Sequence, residues 1–325
     1  MTLDEIPEMP YRRKGEPDSP RLRERYWNTA FGLQKVDGLE PSGYAKSLAR
    51  DNIEGSLSLD EVGALLEKRY RSGADSAGKE DEMRQPCGEE RGQREADLVS
   101  RRVVELLEEG SFALDPSMLK IVHKRLFQDL DEATFHPGAY KTEQLVKPEV
   151  VLNGDSVFYA PPSMYDGMLN ALFSREASYR YGYEFDTSDC ANFSAFIARI
   201  WQVHPFYEGN TRTVAVFAEL YLADLGFTVG NDAFERHAAY FRDALVRANY
   251  RNRAVRVDFD ETYLQRFFMN AVQGTPMSFD RSELMCRELF EHPDALRNIN
   301  ASDAREVRDY LAKVGAKKPP EGARR

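Results

Sequence analysis

The 325-residue chain reads as mainly α-helical, and three stretches carry that reading. Residues 190–203, CANFSAFIARIWQV, place Phe193, Phe196, Ile197, Ile200 and Trp201 three and four apart, the period of one helix face. Residues 210–225 predict the next helix, with Asn210 as its cap and Gly226 just past its end. β-type patterning is concentrated in one place, VVLNGDSVFYA (150–160), where Asn153-Gly154 sits between two β-rich runs and signals a hairpin. The expected architecture is a helical bundle carrying one small hairpin and preceded by a small helical module.

Taken in order, residues 1–71 form that module. RLRERYWNTAFGLQKV (21–36) predicts a first helix through Leu22, Tyr26, Trp27, Ala30 and Leu33, stopped at Asp37-Gly38. A second helix starts near Ser58, which forms a capping box with Glu61, and runs through Val62, Leu65 and Leu66 to about Tyr70. So few helices cannot bury a core by themselves, so the module is expected to dock on the rest. Residues 72–96 are rich in Gly and charge and poor in large apolar side chains, the composition of a flexible linker. The main body is expected over 97–275, and a partly helical extension with a basic end over 276–325.

Composition excludes several classes. A formal charge of -10 argues against a dedicated nucleic-acid binder, which carries a basic stripe. Cys87, Cys190 and Cys286 are too few and too scattered for a disulfide framework or a zinc site, so reduced thiols are expected. The sequence has neither a membrane-length apolar run nor the basic-then-apolar start of a signal peptide. A cytoplasmic protein is the expectation; the basic C-terminus reads either as a solvated tail or as a secretion address.

The chemistry concentrates in HPFYEGNTRT (204–213), the link between the helices at 190–203 and 210–225. Pro205 disfavours helix at the residue before it, and Gly209 frees the turn. The backbone N–H groups of Asn210, Thr211 and Arg212 then lie unpaired at a helix start, which makes an anion site, and Arg212 adds a full charge. Glu208 beside a phosphate is repelled unless a cation such as Mg²⁺ bridges them. His204 supplies a candidate general base. Each residue alone has a structural explanation; their order within ten positions is what points to Mg²⁺-assisted transfer of a phosphorus group to a hydroxyl.

This stretch resembles the signature of the Fic family, HxFx(D/E)GNGRxxR, and the likeness extends across the main body. The resemblance implies a Fic-type helical bundle with a small β-hairpin flap that transfers AMP from ATP to a hydroxyl (Tyr, Ser or Thr) of a target protein, or of the chain itself. By the same resemblance His204 deprotonates that hydroxyl and Glu208 holds Mg²⁺. Gly209, Asn210, Thr211 and Arg212 cradle the phosphates, and Phe206 anchors the loop. Asn153, Gly154 and Asp155 fall at the tip of the flap that docks the target by strand addition, and Lys141 falls where the family often has an Arg. Two positions depart from the signature. Thr211 stands for its second Gly, and Ala215 stands for its last Arg, which in the family contacts the distal phosphates. Arg242 or Arg247 are candidates to substitute in space, against the alternative of solvated or structural arginines.

The stretch from about 23 to 70 resembles the small VbhA-type antitoxins that restrain Fic toxins through an (S/T)xxxE(G/N) helix. One register, LQKVDG (33–38), gives Asp37 the inhibitory position; another, RDNIEG (50–55), gives it to Glu54. The first is preferred, because the sequence after it continues the antitoxin pattern. Two further readings stay open: a phosphotransferase of the same family with ATP reversed, and a catalytically degenerate Fic domain acting as a binding module.

Overall fold

The computed structural model describes residues 19–75, 88–229 and 232–297, which form twelve α-helices joined by short 3-10 turns and loops. Helix α1 (Pro20–Gln34) is capped by the Ser19 hydroxyl, continues as a 3-10 turn over Lys35–Asp37, and stops at Gly38 in the left-handed region, φ 72°. Helix α2 (Gly43–Ile53) is additional to the sequence expectation for the module; the Ser42 hydroxyl caps it. Helix α3 (Leu59–Asp75) begins at the anticipated box, where Glu61 accepts from the Ser58 N–H at 2.8 Å and Ser58 Oγ accepts from the Glu61 N–H.

These three helices are not a satellite. Trp27, Ala30, Leu33, Leu48, Val62 and Leu66 belong to the same buried cluster as Phe193, Ile197 and Trp201 from the centre of the chain. Helix α1 packs along α4 (Gly88–Glu109) and α10 (Asp232–Asn249). Gly32 makes the second crossing possible, since a Cβ there would lie 2.2 Å from the Phe234 carbonyl oxygen. Buried Asp97 on α4 adds a polar anchor, accepting from the Ser42 N–H and hydroxyl and from the Tyr70 hydroxyl at 2.6–2.7 Å. The linker expected over 72–96 is therefore shorter. Residues 88–96 are the first turns of α4, because Ala96 and Asp97 are wanted inside; 76–87 lie outside the described residues.

Helices α5 (Ser117–Phe127), α6 (Glu132–Phe135) and α7 (Tyr165–Glu176) surround the two central helices, α8 (Thr187–Val203) and α9 (Asn210–Asp224). Helix α9 is buried along nearly its whole length, as befits a central element. Helices α11 (Thr262–Gln273) and α12 (Arg287–Glu291) close the far side.

The expected hairpin over 150–160 is not a pair of strands; among the described residues the β pairing is one isolated bridge, Asn252 with Val257. Residues Val150–Leu152 wind into a 3-10 turn instead. The Asn153-Gly154 signal is kept, with φ 54° and 88°, and Gly154 N–H donates to Glu149 O while Glu149 N–H donates to Asp155 O. Tertiary bonds override the ladder: Asn153 Nδ2 donates to Leu289 O on α12, and the Tyr250 hydroxyl donates to Asp155 at 2.6 Å. The short helix expected at 306–314 lies outside the described residues. No described helix is long and apolar enough to cross a membrane.

Replacing Gly32 by Ala improves intrinsic helix propensity by about 1 kcal/mol. The clash with α10 backbone predicts a net loss of about 1–3 kcal/mol in urea unfolding instead. An equal or more stable variant would show that α1 does not cross α10 this closely.

Candidate active site

Helix α8 ends because His204 turns left-handed, φ 50° and ψ 55°, a conformation that costs a non-Gly residue roughly 1–2 kcal/mol. One buried residue compensates from both sides. Lys141 Nζ donates to the His204 carbonyl at 2.5 Å, and the Lys141 N–H donates to the Pro205 carbonyl at 2.8 Å. Burial pushes the Lys141 amine down to about 8, with the nearby charge of Lys147 acting in the same direction.

The loop that follows is bracketed by its own helix. Asn210 accepts the Phe206 N–H at Oδ1 (3.0 Å) and returns Nδ2 to the Phe206 carbonyl (2.8 Å). The Phe206 ring stacks on His123 at 3.8 Å. Because His123 Nδ1 accepts the Gly138 N–H, its proton sits on Nε2, which donates to the Glu208 carbonyl at 3.1 Å. The cap of α9 is thus Gly209 rather than Asn210, whose side chain is committed to the loop. Gly209 is required twice over: its φ is 74°, and a Cβ would sit 2.3 Å from the Phe127 ring. The first intrahelical bond is Thr213 N–H to Gly209 O, so the N–H groups of Asn210, Thr211 and Arg212 remain for a ligand.

A small cavity opens at this helix start, lined by Asp37, Lys147, Glu149, Trp201, His204, Glu208, Asn210, Thr211 and Arg242. It holds about 10 Å³, close to the space of one water. His204 is buried, stacks on Tyr159 at 4.0 Å, and neither ring nitrogen has a hydrogen-bond partner. Burial, reinforced by the charges of Lys141, Lys147 and Arg242, holds its pKa well below the ordinary imidazole value, so the ring is neutral at pH 7. The Thr211 hydroxyl accepts from the Trp201 indole at 3.0 Å.

Arg212, Lys147 and Arg242 are each answered by a carboxylate. Arg212, fully buried, lies 2.7 Å from Asp37 and 2.7 Å from Glu95, with Gln34 at 3.2 Å and the Phe127 ring beneath it. The Asp37 contact is an ion pair by distance whose N–H is not aligned for a hydrogen bond. Burial alone would raise the Asp37 pKa, but the charges of Arg212, Lys147 and Arg242 outweigh it and leave a net lowering. Lys147 reaches Glu208 at 2.9 Å, and Arg242 reaches Glu149 at 2.9 Å.

The structure thus brings together His204, Glu208, Gly209, Asn210, Thr211, Arg212 and Asp37. It does not bring Glu54, which is exposed at the end of α2, nor Arg247, which donates to the Leu284 carbonyl. Asp155 and Gly154 are buried rather than forming an exposed tip. Ala215 is fully buried in α9. Sequence reasoning missed His123, Lys147, Glu149 and Glu95. None has a local signal, and Glu95 fell in the segment that reads as linker.

Residues 113–222, about a third of the chain, match the family model described as Fic/DOC family, whose members are usually transferases. The matched span covers α5 to within two residues of the end of α9 and contains the whole motif from His204 to Arg212. No curated protein and no solved structure matches the chain. A cleft of about 2190 Å³ between the N-terminal helices and the ends of α4 and α9 contains none of the motif residues.

His123 predicts a pH dependence. Its pKa is lowered from 6.5 to about 4, chiefly by burial, so the unfolded chain binds its proton first as pH falls. The stabilisation is complete above about 6.5 and is lost on descent towards 4, by about 3 kcal/mol for this one group. Other buried groups titrate in the same range, His204 in the same sense and Glu219, raised to about 7 by burial, in the opposite one. The measurement therefore compares urea unfolding of the natural chain and of His123→Gln between pH 7.5 and 4.5. The variant should lose about that much less stability as pH falls, and an identical pH dependence would remove His123 as a source.

Proposed function

We propose that the protein is an adenylyltransferase that moves AMP from ATP to the hydroxyl of a Tyr, Ser or Thr side chain, on a target protein or on itself. The observation that carries the reading is the His204 ring, neutral, buried and stacked on Tyr159, facing the same cavity as Glu208 and the free N–H groups of α9. A neutral imidazole in that position takes the proton of the acceptor hydroxyl. The acceptor oxygen then bonds to the α-phosphorus, the bond from that phosphorus to the bridging oxygen breaks, and pyrophosphate leaves. The start of α9 and the Arg212 guanidinium face the phosphates. The Thr211 hydroxyl, accepting from Trp201, keeps its own proton for a phosphate oxygen.

Among the described residues there is no cluster of three or more His, Cys, Asp or Glu that would hold a metal unaided. Glu208 nevertheless fits Mg²⁺, which takes one or two carboxylates and completes its shell with water and substrate phosphates. Bound there, the ion would neutralise charge on the phosphates. Lys147 has to release Glu208 before that can happen.

The same reading makes residues 19–71 an internal brake, as the antitoxin resemblance suggests. Asp37 occupies the guanidinium that the phosphates need, and the cavity has no room for a nucleotide, so ATP enters only when the Lys35–Asp37 turn withdraws. The target would pair not with the Asn153–Asp155 turn, where Gly154 and Asp155 are buried, but with the neighbouring chain, where Phe158 is exposed.

The test uses ATP labelled at its α-phosphorus, Mg²⁺ and the full chain. Asp37→Ala should raise self-labelling at least tenfold over the natural chain, adding His204→Ala should abolish it, and label at the γ-phosphorus should not transfer. Transfer of the γ-label would replace the reading with phosphotransfer. No transfer of either label by the Asp37→Ala chain would leave the binding-module alternative.

A further inference from the structure

We propose that Arg242, on α10, seats the distal phosphates of the nucleotide in place of the arginine that the motif lacks at position 215. The inference rests on the nucleotide reading above and names a residue outside the motif and outside the matched span 113–222.

Four observations lead there. Ala215 is fully buried in α9, so that turn offers the cavity no cation. Arg242 stands on the cavity wall together with His204, Asn210 and Thr211, its side chain 19% exposed. It is paired with Glu149, which is 1% exposed, lines the same cavity and lies 2.9 Å from the guanidinium. A guanidinium carries five donors in a planar fork, and one carboxylate leaves donors available for a phosphate.

The fourth observation concerns Asp37. It lies 2.7 Å from Arg212 and shares the cavity wall with Lys147 and Arg242, and its carboxylate feels the charges of all three. Withdrawing Asp37 uncovers Arg212 beside a cavity that Lys147 and Arg242 line and a helix N-terminus floors. A ligand that reaches all three cations carries several negative charges spread over some length. A polyphosphate does, whereas a monophosphate satisfies only the cradle beside Arg212. Glu149 is then a positioning residue: it fixes Arg242 through their ion pair at the cavity wall.

The experiment is calorimetric titration of the full chain carrying Asp37→Ala, with ATP and with AMP. Adding Arg242→Met should weaken ATP at least tenfold and leave AMP within about twofold. Arg242→Lys should recover part of the ATP affinity. Because Arg242→Met alone strands the buried Glu149 charge, the double change Glu149→Met with Arg242→Met keeps the test valid, since removing both members of a buried pair is better tolerated than removing one. The same selective loss of ATP affinity is expected there. Equal losses for ATP and AMP, or unchanged ATP affinity in the double variant, would overturn the assignment. If the Asp37→Ala chain binds neither nucleotide while Arg242 is still present, the nucleotide reading fails and this inference falls with it; that outcome is distinguishable because it appears before Arg242 is touched.

Discussion

The structure depends on a buried guanidinium. Arg212 stands in the first turn of the central helix with no access to solvent, and taking such a charge out of water costs several kcal/mol unless anions follow it inside. Those partners come from separate parts of the chain: Gln34 and Asp37 from the end of α1, Glu95 from α4, and the face of Phe127 from α5. Meeting that requirement draws the N-terminal helices onto the centre of the molecule. The apolar contacts of Trp27, Ala30 and Leu33, and the close approach at Gly32, then hold them there.

The same requirement makes the site dual in character. A cation placed to meet phosphates must be answered by something when no phosphate is present, and here the chain supplies its own carboxylates. Arg212 takes Asp37 and Glu95, Lys147 takes Glu208, and Arg242 takes Glu149. The resting site is therefore nearly filled and internally neutralised, and any anionic ligand has to displace internal partners rather than water. Rigidity comes from groups outside these ion pairs. The Asn210 amide, the His123 ring with its defined tautomer and the two-sided grip of Lys141 fix the loop whatever the charges do.

The helices were legible in the sequence where one face repeats at three and four residues, as in α8, and where caps are local, as at Ser58 with Glu61 and at Gly38. The hairpin was not, although its Asn-Gly turn is present. Whether 150–160 forms a ladder depends on Leu289 and Tyr250, far away in the chain, which bond the turn and hold it inward. The start of α4 was misread as linker for a similar reason: its charged composition says nothing of the partner that makes Glu95 useful inside.

By itself, then, the sequence determined the helical class and the chemistry-bearing run from His204 to Arg212, because capping, periodicity and a helix start with free N–H groups are properties of neighbouring residues. It also presented two acids, Asp37 and Glu54, as candidates for one role and preferred Asp37 only on the pattern that follows it. Tertiary structure alone decided between their positions, placing Asp37 against Arg212 and leaving Glu54 in solvent, and it alone brought Lys147, Glu149 and Arg242 to the cavity. Charge pairing acts through space over a few ångströms, and separation along the chain carries no record of it.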